Sequence, residues 1–336
     1  MTTERQPTLD TVAAEAGVSR ATVSRVINGS PRVSPEARDL VEGTIARLGY
    51  VPNRAARTLA SRRTDSVALV LREADATVLA DPYLSAVIIA TSQALVGTGV
   101  QLVLVNAQND AEHQRVGEYV RSGHVDGVLL ASMHADDPLP QMLVGSGVPV
   151  VVSGRPERHI PGLVYVDSDN VGGGQLATER LLSAGRTRVA HIAGPPDMTA
   201  AADRLTGYHR ALARAGVRAG PVAFGDFTRA SGESAMADLL SRGAEVDAVF
   251  AANDMMAIGA LRALRATGRR VPDDVSLVGY DDIELAQHTE PSLTTVRQPV
   301  VHQARTMTEL LLLQIGGQPP GDPVVLPTDL VPRDSG

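Results

Sequence analysis

The sequence predicts two architectures in one chain of 336 residues: a small all-α head carrying a helix-turn-helix, and a larger α/β body of two parallel sheets with helices on both faces. Three observations carry this. Residues 8–49 hold helix-like segments with capping residues and no strand-like run. From residue 65, short apolar runs alternate with helical stretches over about 270 residues, more than one sheet accounts for. Charge divides at the same place: residues 1–64 hold ten Arg against six acids, a balance of +4, and the remainder balances at −11. A basic head on an acidic body predicts that the head alone meets a polyanion.

The first helix of the head opens at Thr8, placed to cap it, and presents Leu9, Val12, Ala13 and Ala16 on one face. Gly17-Val18 breaks it. Ser19 then caps a second helix running from Arg20 to about Asn28, and Asn28-Gly29-Ser30-Pro31 is a turn cluster. Ser34-Pro35-Glu36 opens a third helix with a capping Ser, a Pro at the first helical position and an acid near the dipole's positive end. That helix is expected to bury Ala37, Leu40, Val41, Ile45 and Leu48 and to stop at Gly49.

In the body, strand-like runs fall at 67–71, 100–105, 125–130, 148–152, 189–193, 248–252 and 275–278, with a last strand over 324–330. Helix-like segments near 82–97, 110–122, 170–184, 201–215, 229–241, 254–267 and 300–315 lie between them. This alternation is the pattern of parallel sheets covered on both faces. Gly172-Gly173-Gly174 lacks the spacing of a dinucleotide-binding loop and reads as tight helix–sheet packing.

Composition narrows the chemistry. All 31 basic residues are Arg, and Lys, Cys and Trp are absent. Without Lys there is no Walker-type phosphate loop and no Schiff-base or pyridoxal-phosphate enzyme. Without Cys there is no disulfide, thiol nucleophile, iron–sulfur cluster or cysteine zinc site. The eight His residues are scattered and none forms His-Glu-x-x-His. No catalytic residue, cofactor or metal is therefore expected. Met1 to Pro7 is polar where an export signal needs an apolar core, and no apolar run approaches the roughly 20 residues that span a bilayer. The expectation is a cytoplasmic protein without membrane contact.

A helix, a tight turn at Gly17 and a second helix from Ser19 make a helix-turn-helix. Such a unit enters the major groove by the N-terminal end of its second helix, which must carry short polar or basic side chains. Arg20, Ala21, Thr22, Ser24 and Arg25 meet that need, with Val23 and Val26 turned to the core. Arg is well shaped for bidentate contact with a guanine edge.

The run from Thr8 to Asn28, TLDTVAAEAGVSRATVSRVIN, resembles the head of LacI/GalR-family transcription regulators almost residue for residue, and 48–60, LGYVPNRAARTLA, resembles that family's hinge. The resemblance extends along the whole chain. It implies that Arg20, Ala21 and Arg25 hold the positions that read base edges, with Ala21 limited to a thymine methyl and Arg20 the main selector. A phosphate contact alone is the alternative for Arg25. Thr22, Ser24, Arg32 and Asn53 would position the DNA backbone, and Thr8, Ser19, Asn28, Tyr50, Arg54 and Arg57 join the same DNA-binding set. Residues 53–60 are too few for a stable isolated helix, and the resemblance implies that they fold only when two copies meet in the minor groove. Leu59 stands where those regulators insert an apolar wedge; an ordinary buried linker Leu is the alternative. Arg62-Arg63 either approach phosphates or form a solvated linker.

For the body, the resemblance implies a two-lobed, periplasmic-binding-protein-like core with its ligand at the carboxyl ends of the strands, between the lobes. The candidate effector set is Asp81, Tyr83, Arg155, Arg204, Asn253, Asp254, Asp281 and Gln298. Arg204 and Asp281 match positions where the family fixes a sugar by its hydroxyls, since each group takes two at once, and Tyr83 is placed to stack on a ring. Asp281-Asp282 and Asn253-Asp254 have an alternative role as helix caps, and Arg204 as a surface residue. Ser153-Gly154-Arg155 lacks the acid that some members place beside that Arg, which weakens a polar contact there.

The combined expectation is a homodimer binding a palindromic double-stranded operator, most simply a repressor released by a small saccharide. The alternatives are a co-repressor-dependent regulator taking a purine or other metabolite, a sugar-binding transport protein, and a sugar-modifying enzyme. The expected division is a DNA-binding domain over 1–52, a hinge helix and linker over 53–64, and a ligand-binding and dimerisation core over 65–336. Within the core, lobe 1 covers about 65–167 and 299–326, and lobe 2 about 168–298 and 327–336. The absence of a heptad tail after 315 points to a dimer rather than a tetramer.

Overall fold

The computed structural model describes residues 7–27, 30–51, 63–73, 80–243 and 245–336. It divides into two compact units, Met1–Thr64 and Asp65–Gly336.

The first unit holds α1 (Leu9–Glu15), α2 (Arg20–Ile27) and α3 (Pro35–Leu48). Each begins where a hydroxyl satisfies the orphan amides of its first turn. Thr8 and Thr11 form a reciprocal capping box on α1. Ser19 Oγ accepts from the Thr22 amide at 3.1 Å, and Ser34 Oγ from the Ala37 amide at 3.3 Å. Gly49 closes α3 in the left-handed conformation, at φ 61°, which an L side chain resists. Val12, Ala13, Ala16, Val23, Val26 and Val41 fill the shared core. Leu40 departs from the expectation: it is 52 % exposed. The inward stripe of α3 runs through Val41, Thr44, Ile45 and Leu48, and Thr44 tolerates burial because its hydroxyl donates to the Leu40 carbonyl at 2.8 Å.

The second unit is two-lobed. Its first sheet has the order β11-β5-β4-β3-β1-β2 and is parallel throughout. Those strands are β1 (Ser66–Leu71), β2 (Gln101–Asn106), β3 (Gly127–Ala131), β4 (Val150–Ser153), β5 (Val164–Ser168) and β11 (Val324–Leu326). One face is covered by α4 (Pro82–Ala94) and α11 (Val300–Ile315), the other by α5 (Asp110–Arg121) and α6 (Leu139–Val144). The second sheet, also parallel, has the order β7-β6-β8-β9, from β6 (Val189–Ala193), β7 (Val222–Phe224), β8 (Ala248–Ala251) and β9 (Ser276–Val278). Here α7 (Asn170–Ser183) and α8 (Thr199–Ala215) cover one face, α9 (Arg229–Ser241) and α10 (Asp254–Ala266) the other. Because helices cover both faces, the central strands are buried along their length rather than alternating, and apolar apart from Ser66 at the start of β1 and His191 in β6.

The chain passes between lobes three times, near 168–170, 298–300 and 327–328. The expected last strand is in fact two. β11 joins the first sheet, Pro327 interrupts, and β12 (Asp329–Val331) pairs antiparallel with β10 (Thr295–Arg297) beside the second. Strands β5, β7 and β10 and helix α6 were not expected.

The glycine run Gly172–Gly174 opens α7: Gly173 packs against the Tyr280 ring just beyond β9, and Gly174 against helix α8. A Cβ on Gly174 would strike the Arg204 carbonyl of α8, and one on Gly207 of α8 would strike the Val171 carbonyl. Gly232 and Gly259 interlock α9 with α10 in the same way. Gly207→Ala should therefore cost about 1–3 kcal/mol, read as a lowered unfolding free energy in urea. Gly43 in α3 has nothing within 4 Å of its would-be Cβ, so Gly43→Ala should stabilise the head by about 0.5–1 kcal/mol, read as slower amide exchange in α3.

Candidate nucleic-acid interface and ligand cleft

On the head, α2 turns Val23 and Val26 inward and leaves Arg20, Ala21 and Arg25 exposed, with Thr22 and Ser24 half-buried beside them. Arg20 lies 3.6 Å from Asp10, with both side chains about 70 % exposed. A pair so solvated releases its guanidinium to another acceptor at little cost. Arg32 is exposed on the α2–α3 connection, and Ser19 and Thr8 have hydroxyls engaged in capping. Tyr50 is the exception among the DNA-binding candidates: only 8 % exposed, it closes the head's apolar cluster, and its amide bonds the Ile45 carbonyl at the end of α3. Asn28, Asn53, Arg54, Arg57 and Leu59 lie outside the described residues, as does the hinge around them.

In the second unit, a cleft of about 340 Å³ opens between the carboxyl ends of the two sheets. This is where a parallel α/β sheet gathers loops and helix N-termini without interrupting its own ladder. Asp81, Tyr83, Arg155, Arg204, Asn253, Asp281 and Gln298 all line it.

Arg204, on α8, is 4 % exposed, and its partners come from three segments. Nε donates to Asn170 Oδ1 at 3.0 Å, Nη1 donates to the Ala252 carbonyl at 2.6 Å, and Asp281 Oδ1 lies 3.6 Å from Nη1. The guanidinium plane sits 3.8 Å from the centre of the Tyr280 ring. Gln298 Nε2 donates to Asp281 Oδ1 at 2.6 Å, so the carboxylate is held from two sides. Asp281 and Asp282 have φ of 110° and 60°, a region non-glycine residues avoid and one associated with functional sites. They cap no helix; Asp282 instead pairs with Arg297 and Arg333.

Asp254 is the effector candidate that the structure sets elsewhere. Fully buried, its carboxylate accepts from Thr295 Oγ1 at 2.6 Å and from the Ile283 amide at 2.9 Å, fastening β10 and the 280s turn to the start of α10. It does not line the cleft. Asn253 both lines the cleft and caps α10, Oδ1 accepting from the Met256 amide at 2.9 Å. Asp81 likewise caps α4 through the Tyr83 amide. Arg155 lines the cleft with its guanidinium paired to Asp203, 2.9 Å from each carboxylate oxygen.

Several wall residues escaped sequence reading. Asp167 ends the unexpected strand β5, and recognising that strand would have exposed it as a strand-end acid. Asn170 opens α7, while Gln303 on α11 reaches Ser153 and the Val166 carbonyl. Ser132 and His134, after β3, stand at the mouth with Glu73. Nothing local marks these; they meet only through the fold.

Burial disfavours ionisation of the acids in and behind the cleft. Burial pushes the Asp167 carboxyl up to about 6, against the pull of the Ser168 amide. Burial also raises Asp281, offset by Arg204, and raises Asp254 well above the ordinary carboxylate range, with the Asp281 charge adding to it. Tyr83 is pushed up to about 12 by burial first and Asp281 second. Carboxylates and amides with few solvent partners, facing an apolar ring such as Phe227, are suited to an uncharged polyhydroxyl ligand.

Comparison with known proteins agrees with this geometry. A family model for bacterial regulatory proteins of the lacI family matches residues 8–53, and one for a periplasmic binding protein-like domain matches 178–336. The HTH-type transcriptional regulator CelR of Thermobifida fusca is 52 % identical over 344 aligned residues, covering all of both chains. GalR of Escherichia coli is 36 % identical, covering 93 % of this chain and 90 % of its own. Among solved structures, a CelR–cellobiose complex superposes with TM-score 0.79 at 50 % identity, covering 98 % of this chain and all of the other. A lac repressor dimer bound to operator and an anti-inducer superposes at 0.84 and 28 % identity, covering 98 % and 99 %.

The buried acids make a prediction independent of any ligand. Asp167 has a folded-state pKa near 6 against an ordinary 3.8, so the native state holds the extra proton between those values and stability falls as pH rises through that window. Asp167→Asn keeps an oxygen for the Ser168 amide and removes the charge. It should raise the unfolding free energy by about 2–3 kcal/mol at pH 7.5 and leave it unchanged below pH 4, measured by urea titration at both pH values.

Proposed function

Because the chain belongs to the LacI family of bacterial transcription regulators, we propose that it is a homodimeric repressor released from a palindromic operator by a small gluco-disaccharide of the cellobiose type. The observation that carries the ligand class is the Arg204–Asp281 pair: buried, doubly supported, and set in a cleft whose volume suits one or two sugar rings. The full-length likeness to CelR, one of whose structures holds cellobiose, supports the choice of sugar.

In this reading the division is a head over 1–52, a hinge and linker over 53–64 and a sensing core from 65. Arg20, Ala21 and Arg25 read base edges, while Thr8, Ser19, Thr22, Ser24 and Arg32 fix the DNA backbone. Asp81, Tyr83, Asn253, Asp281, Gln298 and Arg204 hold the sugar. The cleft binds and carries out no chemistry. No described helix is long and apolar enough to cross a membrane, and the proposal places the protein with its DNA in the cytoplasm. Ligand favours the closed lobes and thereby disfavours ordering of the two hinges in the minor groove.

Fluorescence anisotropy of a labelled operator, titrated with cellobiose, tests this. Wild type should lose operator affinity at least tenfold as the sugar saturates; tighter binding would mark co-repression and overturn induction. Arg204→Ala, and the volume-preserving Asp281→Asn, should abolish that response with sugar-free operator affinity kept within about twofold. Loss of both properties in a folded Asp281→Asn protein would reject the cleft assignment. Replacing Arg20 should change the preferred outer half-site.

A further inference from the structure

Four hydrogen bonds span the mouth of the cleft away from the three chain crossings. His134, after β3, brings Nδ1 to 2.6 Å from Asp197 Oδ2, and the Ala135 amide donates to the Asp197 carbonyl at 2.7 Å. Arg155, after β4, meets Asp203 of α8 at 2.9 Å through both carboxylate oxygens. In each case the first lobe supplies the cation or donor and the second lobe the acceptor, a carboxylate in both side-chain pairs. The first-lobe partners are themselves braced. Glu73 lies 3.6 Å from His134 Nε2 and accepts from the Ser132 hydroxyl, and Ser132 is held at φ 63°. His134 is raised in pKa, chiefly by Glu73, and Asp197 is lowered by its bond to His134 although burial opposes this.

We propose that His134–Asp197 and Arg155–Asp203 form a latch that clasps the two lobes around the effector, and that Arg155 acts mainly as a latch residue rather than as a sugar ligand. Such pairs break when the lobes separate and reform when they close, since no covalent crossing holds these edges together. The latch slows escape of the sugar without touching it. Its side chains are partly exposed, from 18 % for Asp203 to 51 % for Asp197, so each pair is screened by salt and contributes a modest factor, about twofold to fivefold in affinity. An uncharged sugar has no charge of its own to screen. Salt dependence of its binding therefore reports protein–protein ion pairs made on closing.

The inference rests on the sugar-sensing reading above, and the experiment separates the two. Isothermal titration calorimetry and stopped-flow dissociation with cellobiose are run on the full-length wild type, Asp197→Asn, Asp203→Asn and the charge swap Arg155→Asp with Asp203→Arg, each from 0.05 to 0.5 M KCl. Silence of a folded wild type overturns the sugar reading itself. If wild type binds, the latch predicts a Kd that weakens with salt, and single variants with a Kd about twofold to fivefold higher, arising from faster dissociation. It also predicts reduced salt dependence in those variants, sugar-free operator affinity unchanged, and recovery in the swap. Variants that bind and release cellobiose like wild type overturn the latch. A swap that stays as weak as Asp203→Asn assigns Arg155 to the sugar and overturns its part in the latch.

Discussion

One buried cation organises the sensing unit. Taking the Arg204 guanidinium out of water is strongly unfavourable unless each of its donors and its charge find partners. The partners lie on segments far apart in sequence: Asn170 at the first crossing between lobes, the Ala252 carbonyl at the end of β8, and Asp281 and the Tyr280 ring beyond β9. Gln298, at the second crossing, completes the set by holding Asp281. A single side chain therefore ties the ends of the second sheet to two of the three segments that join the lobes. This is also why α7 and α8 approach so closely. Asn170 reaches Arg204 only because Gly174 and Gly207 let the two backbones touch.

The same arrangement places acids where water is scarce, and the chain accepts the cost. Asp167, Asp281 and Asp254 would each be more comfortable protonated or exposed. Asp254 is compensated by bonds that hold the 280s turn, a structural task. Asp167 and Asp281 line the cleft, where, in the proposed reading, hydroxyl groups of a ligand complete their coordination. Unused acceptor capacity, buried and braced, is what distinguishes a polyol site from an ordinary buried ion pair.

What was legible in the sequence divides along the range of the interactions involved. Caps act within a turn, so Ser19, Ser34-Pro35 and Gly49 announced the helices of the head to within a residue or two. Long apolar runs announced β1, β6 and β8. Strands of three residues, such as β7 and β10, carry too few side chains for a pattern, and β5 ends in Asp167-Ser168, which reads as loop until a neighbouring strand is known. Leu40 and Tyr50 show the limit within the head: one residue at the edge of a helical stripe falls outside it, and an aromatic beyond a helix end folds back into the core. In the cleft, Arg204 and Asp281 were accessible through resemblance, whereas His134, Glu73 and Asp197 come together only across two lobes. No spacing in the chain encodes that meeting.

The distribution of groups between lobes bears on how the cleft can sense anything. A ligand equally at home in open and closed forms shifts no equilibrium, however tightly it is held. Arg204, Asn253 and Asp281 sit on the second lobe, and a molecule contacting them alone would bind both forms alike. Asp81, Tyr83, Ser153 and Asp167 stand opposite, on the first lobe. Only a ligand long enough to touch both sets gains on closure, and that differential alone can do work on the rest of the protein. In the proposed reading, the deep anchor therefore gives affinity and the facing wall gives response. On that reading, the reach of a ligand across the cleft, more than any one hydrogen bond, decides whether closure is favoured.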